Sequence, residues 1–368
     1  MMPKKLIVCA DGTWNDEDSA DGPTNVAKIH HALKTRFVEP VEQFVCYVTG
    51  VGTKRSERLR GGAFGYGLSN NIKDAYRFLV EHYEPDDELF FFGFSRGAYT
   101  VRSLAGFIRN SGLLRRENVN RVDEAFRLYR NRSDDTHPQS DKATAFRKAN
   151  SHEPKIKFIG VWDTVGSLGV PLLRLRILGF LNRLIGKDWQ FHDPALSSWV
   201  ENAYHAISIH ERRGTFVPTL WEKQNKPETE RQVLEQVWFP GVHCDVGGGY
   251  RTSDLSDASL LWMIGKAEEC GLKFRRDALN ATLGVAPDPI GRLHNSYTFG
   301  FRVVDWLFLR FQGNPRAYDA DVKYYENTSG SATDRFHLST DTTWPPSFVS
   351  PLQQSTATVR QDLPAWFT

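Results

Sequence analysis

The stretch that decides the fold reads Leu89-Phe90-Phe91-Phe92-Gly93-Phe94-Ser95-Arg96-Gly97-Ala98-Tyr99-Thr100. It consists of a short apolar run, the pattern Gly-x-Ser-x-Gly, and then residues with helical spacing. A serine between a buried strand and a helix must lie on a tight turn that exposes its hydroxyl group. The stretch therefore predicts a strand, a nucleophile elbow at Ser95 and a helix that begins directly after it.

The two glycines of the pattern support the same interpretation. Gly93 and Gly97 lack the side chains that would collide with the neighbouring strand and helix at such a turn. The N-terminus of the following helix points at Ser95, and its backbone N–H groups favour negative charge. We therefore expect the N–H of Arg96 to contribute to an oxyanion hole for a reaction at Ser95.

Outward from this stretch, short apolar runs alternate with segments of helical spacing. Such alternation is typical of a mostly parallel sheet with helices on both faces. The sequence thus predicts an α/β fold, of the kind found in α/β-hydrolases, with helical lid and cap insertions. Strands are predicted at Leu6–Ala10, Phe44–Val51, Leu89–Phe92, Ile156–Trp162, Ala203–Ile209 and Val233–Phe239, helices at Asn25–Lys34, Asn70–Tyr83 and Ala98–Asn110, and a glycine-rich turn region at Gly61–Gly67.

Length and composition limit the classes of protein that fit. We interpret the 368 residues as a single catalytic domain, residues 1–368, that carries insertions. The 46 basic and 44 acidic residues give a net charge of +2, which is too balanced for a nucleic-acid-binding protein. The 4 cysteines are scattered and lack the spacing of a zinc site, so we expect reduced thiols.

The N-terminal region superficially resembles a secretory signal. Its apolar run, Leu6–Ala10, is shorter than the about 7–15 residues that such a signal requires. No uninterrupted apolar stretch approaches the about 18 residues of a membrane span. These features predict a cytoplasmic protein whose N-terminus begins with a buried strand.

The candidate base is His243. In α/β-hydrolases the catalytic residues follow the chain order serine, acid, histidine, so the base should come after a late strand. His243 follows the apolar run Val233–Phe239 and a Pro-Gly turn, and the triple-glycine segment Gly247–Gly249 lies just beyond it in the same predicted loop. Weaker rivals for the role are His205, His210, His294 and His337.

The candidate acid is Asp163, which directly follows the run Ile156–Trp162. Carboxylates at the carboxyl end of a parallel strand lie at the edge where such sheets bind ligands. Glu211, after the next predicted strand, and Asp245, close to His243 in sequence, are the alternative acids. Asp163 also fits a purely structural role as a cap for the turn after its strand.

The first strand ends in Asp11-Gly12-Thr13, beside the predicted nucleophile strand. A loop in this position supplies the second oxyanion N–H in α/β-hydrolases, which makes Gly12 and Thr13 the candidates. The same residues also fit a simple Asx-type turn.

Several blocks of sequence together resemble a known family, the type VI secretion phospholipase-effector-like catalytic domains. The blocks are Ile7–Asn15, Tyr47–Thr53, Gly93–Tyr99, Gly160–Gly166 and Phe239–Tyr250, together with Glu211-Arg212-Arg213 and Trp221. The resemblance implies an α/β-hydrolase core with a Ser-Asp-His triad at Ser95, Asp163 and His243. It also implies a phospholipid ester as substrate, and export by a dedicated secretion system.

Residues 165–200 form the predicted lid insertion. Within it, Val170–Lys187 places basic residues on one helical stripe and leucine, isoleucine and phenylalanine on the opposite face. A basic amphipathic helix of this kind can lie on an anionic membrane surface or cover an acyl pocket. An ordinary helix packed on the core is the alternative. Residues 285–368 are predicted to form a C-terminal cap, with a second amphipathic segment at Phe299–Phe311.

Together the motifs predict a serine hydrolase of carboxylic esters, of lipase or phospholipase type, that needs no cofactor. One alternative is a metal- or phosphate-dependent hydrolase, because carboxylates and a histidine at strand ends suit a divalent ion. Its candidate residues are Asp11, Asp163, His243 and Asp245. The other alternative is a binding module that keeps the elbow without catalysis.

Overall fold

A seven-stranded sheet is the central element of the structure, a computed structural model that describes residues 3–12, 22–33, 37–38, 41–50, 63–131, 133–165, 195–213 and 216–296. Its strands are Lys5–Ala10 (β1), Phe37–Val38 (β2), Val41–Val48 (β3), Glu88–Phe94 (β4), Ile156–Trp162 (β7), Val200–Ser208 (β8) and Val233–Phe239 (β9). Two further strands, Leu113–Leu114 (β5) and Ser151–His152 (β6), pair with each other outside this sheet.

Helices precede or follow most strands. The α-helices are Asn25–Leu33 (α1), Ala63–His82 (α2), Arg96–Ser111 (α3), Val122–Arg130 (α4), Asp141–Asn150 (α5), His243–Gly247 (α6) and Asp254–Glu269 (α7). Short 3₁₀ segments cover Arg116–Arg121, Asp134–Thr136 and Pro227–Thr229, and a π-helical turn covers Ala278–Thr282.

The order of strands in the sheet is β2-β3-β1-β4-β7-β8-β9. All neighbours pair in parallel except β2 and β3, which are antiparallel. The central strand β4 is apolar and buried from Leu89 to Phe94, as expected for a parallel strand covered on both faces. The predicted α/β class with a mostly parallel sheet is confirmed.

Alternate residues of the central strands serve two separate cores. Leu6, Val8 and Phe91 pack on one face of the sheet with residues of α2 and α3. Ile7 and Phe92 pack on the opposite face with residues of α1 and α7. Because successive side chains of a strand point to opposite faces, both layers are determined by continuous apolar runs.

Strand ends differ from the prediction by a few residues, as in Val41–Val48 for the predicted Phe44–Val51, and two segments differ in type. Helix α2 begins at Ala63, so most of the predicted turn region at 61–67 is helical. Leu68 packs in the same core as Ile72, and such burial offsets the cost of glycine in a helix. The segment after β9 is also not a loop, because His243 is the first residue of α6.

The predicted insertions are largely outside the described residues. The lid at 165–200 is described only at Val165, which forms a bridge with Pro218, and from Ala195, which forms a bridge with Glu222. The cap at 285–368 is described only for 285–296, and the amphipathic segments 170–187 and 299–311 lie outside it. None of the helices in the described ranges has the length and apolar character needed to cross a membrane.

Candidate active site

The candidate catalytic residues follow neighbouring strands at the carboxyl edge of the sheet. Ser95 follows β4, and Asp163 follows β7, the strand that pairs with β4. Glu211 comes shortly after β8, and His243 comes shortly after β9. This edge is where ligands bind in open parallel sheets.

Ser95 has the backbone of a strained turn. Its φ and ψ angles are 56° and −118°, and its N–H donates to the carbonyl oxygen of Trp162 at 3.0 Å. Among the described residues only Asp86, Ser95 and Asp163 are non-glycine residues with positive φ. Such conformations cost about 1–3 kcal/mol each and cluster at functional sites.

Close backbone contacts explain the glycines on either side of Ser95. A Cβ atom at Gly97 would lie 2.0 Å from the carbonyl oxygen of Ala10, and one at Gly93 would lie 2.6 Å from that of Gly97. Helix α3 therefore approaches β1 and β4 more closely than any side chain would allow. The predicted steric reason for both glycines is confirmed.

Asp163 is fully buried and held at both carboxylate oxygens. The N–H of Ser208 donates to Oδ1 at 3.1 Å, and Nδ1 of His243 lies 2.6 Å from Oδ2. Because an ionised carboxylate only accepts hydrogen bonds, this contact places the imidazole proton on Nδ1. The Nε2 atom is then the basic nitrogen of the ring.

The imidazole of His243 is enclosed by aromatic rings. The ring centroid of Phe94, the residue before Ser95, lies 4.6 Å from that of His243, and the Phe216 ring contacts it edge-on at 4.8 Å. Burial lowers the pKa of His243, and the hydrogen bond to Asp163 opposes this shift. The imidazole is consequently neutral near pH 7, as a general base requires.

Glu211, one alternative acid, contacts the backbone of His243 and not the imidazole. Its Oε2 atom accepts from the N–H of His243 at 3.3 Å and from Nη2 of Arg213 at 2.7 Å. The Arg213 guanidinium in turn lies 3.5 Å from the ring centroid of Phe216. Ser296 also donates to Glu211, so the start of the C-terminal region reaches this cluster.

Asp245, the other alternative acid, pairs with a different histidine. Nδ1 of His294 lies 2.6 Å from Oδ1 of Asp245, while Oδ2 accepts from the N–H of Val242 at the start of α6. His294 also stacks on Tyr250, with ring centroids 4.0 Å apart. Asp245 therefore caps α6 and tethers residue 294, and burial raises its pKa.

The remaining histidine rivals have structural contacts. His205 lies in β8, is fully buried, and accepts from the N–H of Thr164 at 3.1 Å; burial lowers its pKa to about 3. His210 accepts from the N–H of Gly241 at 2.9 Å. His337 lies outside the described residues.

The Asp11 contact in the loop after β1 joins neighbouring residues and is therefore not itself an Asx turn, in which the bond reaches two residues on. The N–H of Gly12 donates to Oδ1 of Asp11 at 2.6 Å. Oδ2 of Asp11 accepts from the hydroxyl groups of Thr24 and Tyr47, both at 2.6 Å. An oxyanion role for Gly12 would therefore require exchange of this bond. Thr13 lies outside the described residues, and Arg96 occupies the first turn of α3.

The residues of the metal-dependent alternative belong to separate hydrogen-bonded groups. Asp11 contacts Thr24 and Tyr47, Asp163 contacts His243, and Asp245 contacts His294. In the ranges that the structure describes, no three His, Cys, Asp or Glu side chains are grouped as ligands for an ion.

The surroundings of His243 were not predicted from the sequence. They include the aromatic contacts of Phe94 and Phe216 with the imidazole and the pair formed by Asp245 and His294. The block Glu211-Arg212-Arg213, quoted for the family resemblance, was the one sequence signal that contained the Glu211–Arg213 pair.

The fold and these residues define an α/β protein with the architecture of the α/β-hydrolases. The family model described as "T6SS, Phospholipase effector Tle1-like, catalytic domain" matches residues 4–266. The chain belongs to this family of Tle1-like phospholipase effector catalytic domains. The family resemblance inferred from the sequence blocks is confirmed.

Two similar proteins give the extent of the likeness. The chain is 33% identical over 236 residues to the uncharacterized protein YEL023C of Saccharomyces cerevisiae, an alignment that covers 58% of the chain and 32% of that protein. The chain thus spans about a third of that relative's length. A crystal structure of an uncharacterized protein from Pseudomonas aeruginosa matches with a TM-score of 0.43 and 18% identity, over 78% of this chain and 49% of that one.

Proposed function

We propose that this protein is a serine hydrolase that cleaves carboxylic esters of lipids, of lipase or phospholipase type. Ser95 is the nucleophile, His243 the general base and Asp163 the acid that orients the imidazole. Backbone N–H groups at the start of α3, that of Arg96 first, stabilise the oxyanion.

The reaction proceeds through an acyl-enzyme. Nε2 of His243 accepts the proton of the Ser95 hydroxyl as its oxygen attacks the ester carbonyl. The tetrahedral intermediate collapses, the C–O bond to the alcohol breaks, and the imidazolium returns the proton to the departing alcohol. Water then attacks the acyl group by the same path and releases the carboxylic acid and free Ser95.

One observation carries this proposal: the 2.6 Å contact between Asp163 and His243, whose imidazole packs on Phe94, the residue before the strained Ser95. A buried carboxylate bound to Nδ1 is what a hydrolytic histidine requires, because it fixes the tautomer and stabilises the imidazolium. The positive φ angles of Ser95 and Asp163 cost free energy of folding, and a catalytic function would account for their retention.

Family membership supports a lipid as the ester. We propose a phospholipid acyl ester as the substrate class and contact with a membrane surface during turnover. Export through a dedicated secretion system fits the same family and belongs to this proposal.

The test is labelling with a fluorophosphonate followed by a panel of esters. The full chain should be labelled at Ser95, and it should hydrolyse both a short soluble ester and phosphatidylcholine or phosphatidylglycerol vesicles. Ser95→Ala should abolish labelling and lower turnover by up to about 10⁶-fold. The melting temperature of Ser95→Ala should not fall, because the substitution removes only one hydroxyl group from the side chain.

Two results would refute the proposal. Retention of a tenth of the wild-type activity by Ser95→Ala would remove Ser95 as nucleophile. Absence of both labelling and ester hydrolysis in the folded wild-type chain would make the elbow a feature of a binding module.

A further inference from the structure

A second concave site lies on α3, away from Ser95. It is a cavity of about 370 Å³ between α3, the loop at 131–139 and the segment 195–226. Ile159, Val200 and Trp221 are apolar lining residues, while Arg109, Lys226 and Arg102, whose guanidinium lies over the Trp221 ring, bring positive charge. The volume of this cavity falls within the about 300–1,000 Å³ of small-molecule sites.

Arg109 is the informative residue of this cavity. It is half-buried, and its guanidinium lies over the Trp199 ring, 5.0 Å from the centroid. Within the described residues no hydrogen bond or ion pair involves its side chain. A guanidinium that stacks through its face keeps its in-plane N–H groups available for an oxyanion.

The neighbour of Arg109 makes the contrast clear. Arg147 lies over the same Trp199 ring at 5.8 Å, but it donates to Glu153 at 2.9 Å and to backbone carbonyl oxygens of Asn110 and Pro138. Burial and the charge of Arg147 lower the pKa of Arg109, while the charges of Glu228 and Glu153 oppose this shift. Of the two guanidinium groups on the Trp199 ring, that of Arg147 is paired with the Glu153 carboxylate, whereas that of Arg109 has no ion-pair partner among the described residues.

We propose that this cavity binds a small molecule with an oxyanion head, carboxylate or phosphate, on an apolar body. The head binds in the plane of the Arg109 guanidinium, with Lys226 at the mouth, and the body packs against Ile159, Val200 and Trp221. Asp134, also in the lining, disfavours a second anionic group on the ligand.

The site is separate from the proposed catalytic centre. Arg109 comes 14 residues after Ser95 in the sequence, which corresponds to about 21 Å along a helix axis. Binding there is measured without turnover, so the proposal does not depend on the proposed hydrolase activity.

The experiment is calorimetric titration of the full chain with octanoate and with octyl phosphate, below their critical micelle concentrations. The controls are 1-octanol, which lacks the charge, and octyltrimethylammonium, which reverses it. We expect one or both anions to bind, Arg109→Gln to weaken that binding at least about tenfold, and the two controls not to bind. The preferred anion identifies the head as carboxylate or phosphate.

Arg127→Gln is the matched variant, since it removes an exposed arginine on α4 that does not line the cavity. It should bind like the wild type. If Arg109→Gln does not fold by circular dichroism, Lys226→Gln at an exposed position should weaken binding severalfold. Equal affinity of a folded Arg109→Gln and the wild type, absence of binding by both anions, or equal affinity for octanol and octanoate would each overturn the proposal.

Discussion

Nδ1 of His243 and Oδ2 of Asp163 are 2.6 Å apart, although 80 residues separate them in sequence. The carboxylate cannot turn away from the imidazole, because its other oxygen accepts from the N–H of Ser208. The contact is also shielded from water, since Asp163 is fully buried and His243 nearly so. A short, dry and anchored hydrogen bond fixes both the tautomer and the orientation of the ring.

Replacement of Asp163 should therefore act through the imidazole. Asp163→Asn should lower kcat for a soluble ester by about 10⁴-fold, because an amide donor at this position favours the wrong tautomer. KM should change little, as the substrate does not touch this residue in the proposed mechanism. Steady-state kinetics with parallel melting curves measure both effects.

Asp245→Asn is the comparison variant for that experiment. Its carboxylate contacts His294 and the start of α6, so we expect lower stability with most of the activity retained. A loss in Asp245→Asn as large as in Asp163→Asn, with the melting temperature unchanged, would transfer the role of acid to Asp245.

The pH dependence follows from the burial of His243. Burial lowers its pKa below the ordinary value of 6.5, so the neutral, basic form persists into mildly acidic solution. We expect kcat/KM to be constant through neutral pH and to fall only below pH 6.5, as the imidazole takes up a proton. A profile of kcat/KM from acidic to neutral pH tests this expectation. It would be contradicted if kcat/KM reached half its maximum only at neutral pH or above.

Glu211 is the positioning residue with the strongest case. It accepts from the backbone N–H of His243 and from Arg213, whose guanidinium supports Phe216 against the imidazole. Glu211→Gln keeps the size and shape of the side chain but removes the negative charge that pairs with Arg213. We expect kcat to fall by up to about 10²-fold through small displacement of the base. Ester kinetics and the pH profile measure the effect.

The pH profile distinguishes positioning from simple loss of stability. The charge of Glu211 raises the pKa of His243, and that of Arg213 lowers it. Glu211→Gln should therefore move the acidic limb to lower pH, whereas Arg213→Gln should move it to higher pH. If the acidic limb of the pH profile stays at the same pH in both variants, and activity falls only in proportion to the unfolded protein, this pair has a purely structural role.

The sequence predicted the elements whose signal is local. The run Leu89–Phe92 and the glycines around Ser95 determine the strand and its turn through burial and steric contact, and both appear in one short window. The surroundings of His243 depend on contacts between residues that are distant in sequence, such as that between Phe216 and the imidazole. No periodic pattern in the sequence links such residues. Helix α6 was missed because its 5 residues are too few for a helical pattern.

Glycines of one helix allow a sharp test of the predicted elbow. Gly97 and Gly106 both lie in α3, but a Cβ atom at Gly97 would meet the backbone of Ala10 at 2.0 Å, whereas one at Gly106 would lie 3.4 Å from the Tyr129 ring. Gly97→Ala must shift β1 or α3 and should lower the free energy of unfolding by about 1–3 kcal/mol or more.

The control substitution, Gly106→Ala, should raise the free energy of unfolding, whereas Gly97→Ala should lower it. Gly106→Ala makes only an ordinary contact and removes glycine's conformational freedom in the unfolded chain, so it should stabilise by about 0.5–1 kcal/mol. Urea unfolding of both variants gives the difference, and ester kinetics should show loss of activity for Gly97→Ala alone. If Gly97→Ala unfolds like Gly106→Ala, α3 does not pack on β1 as closely as its glycine implies, and the geometry of Ser95 would have to be revised with it.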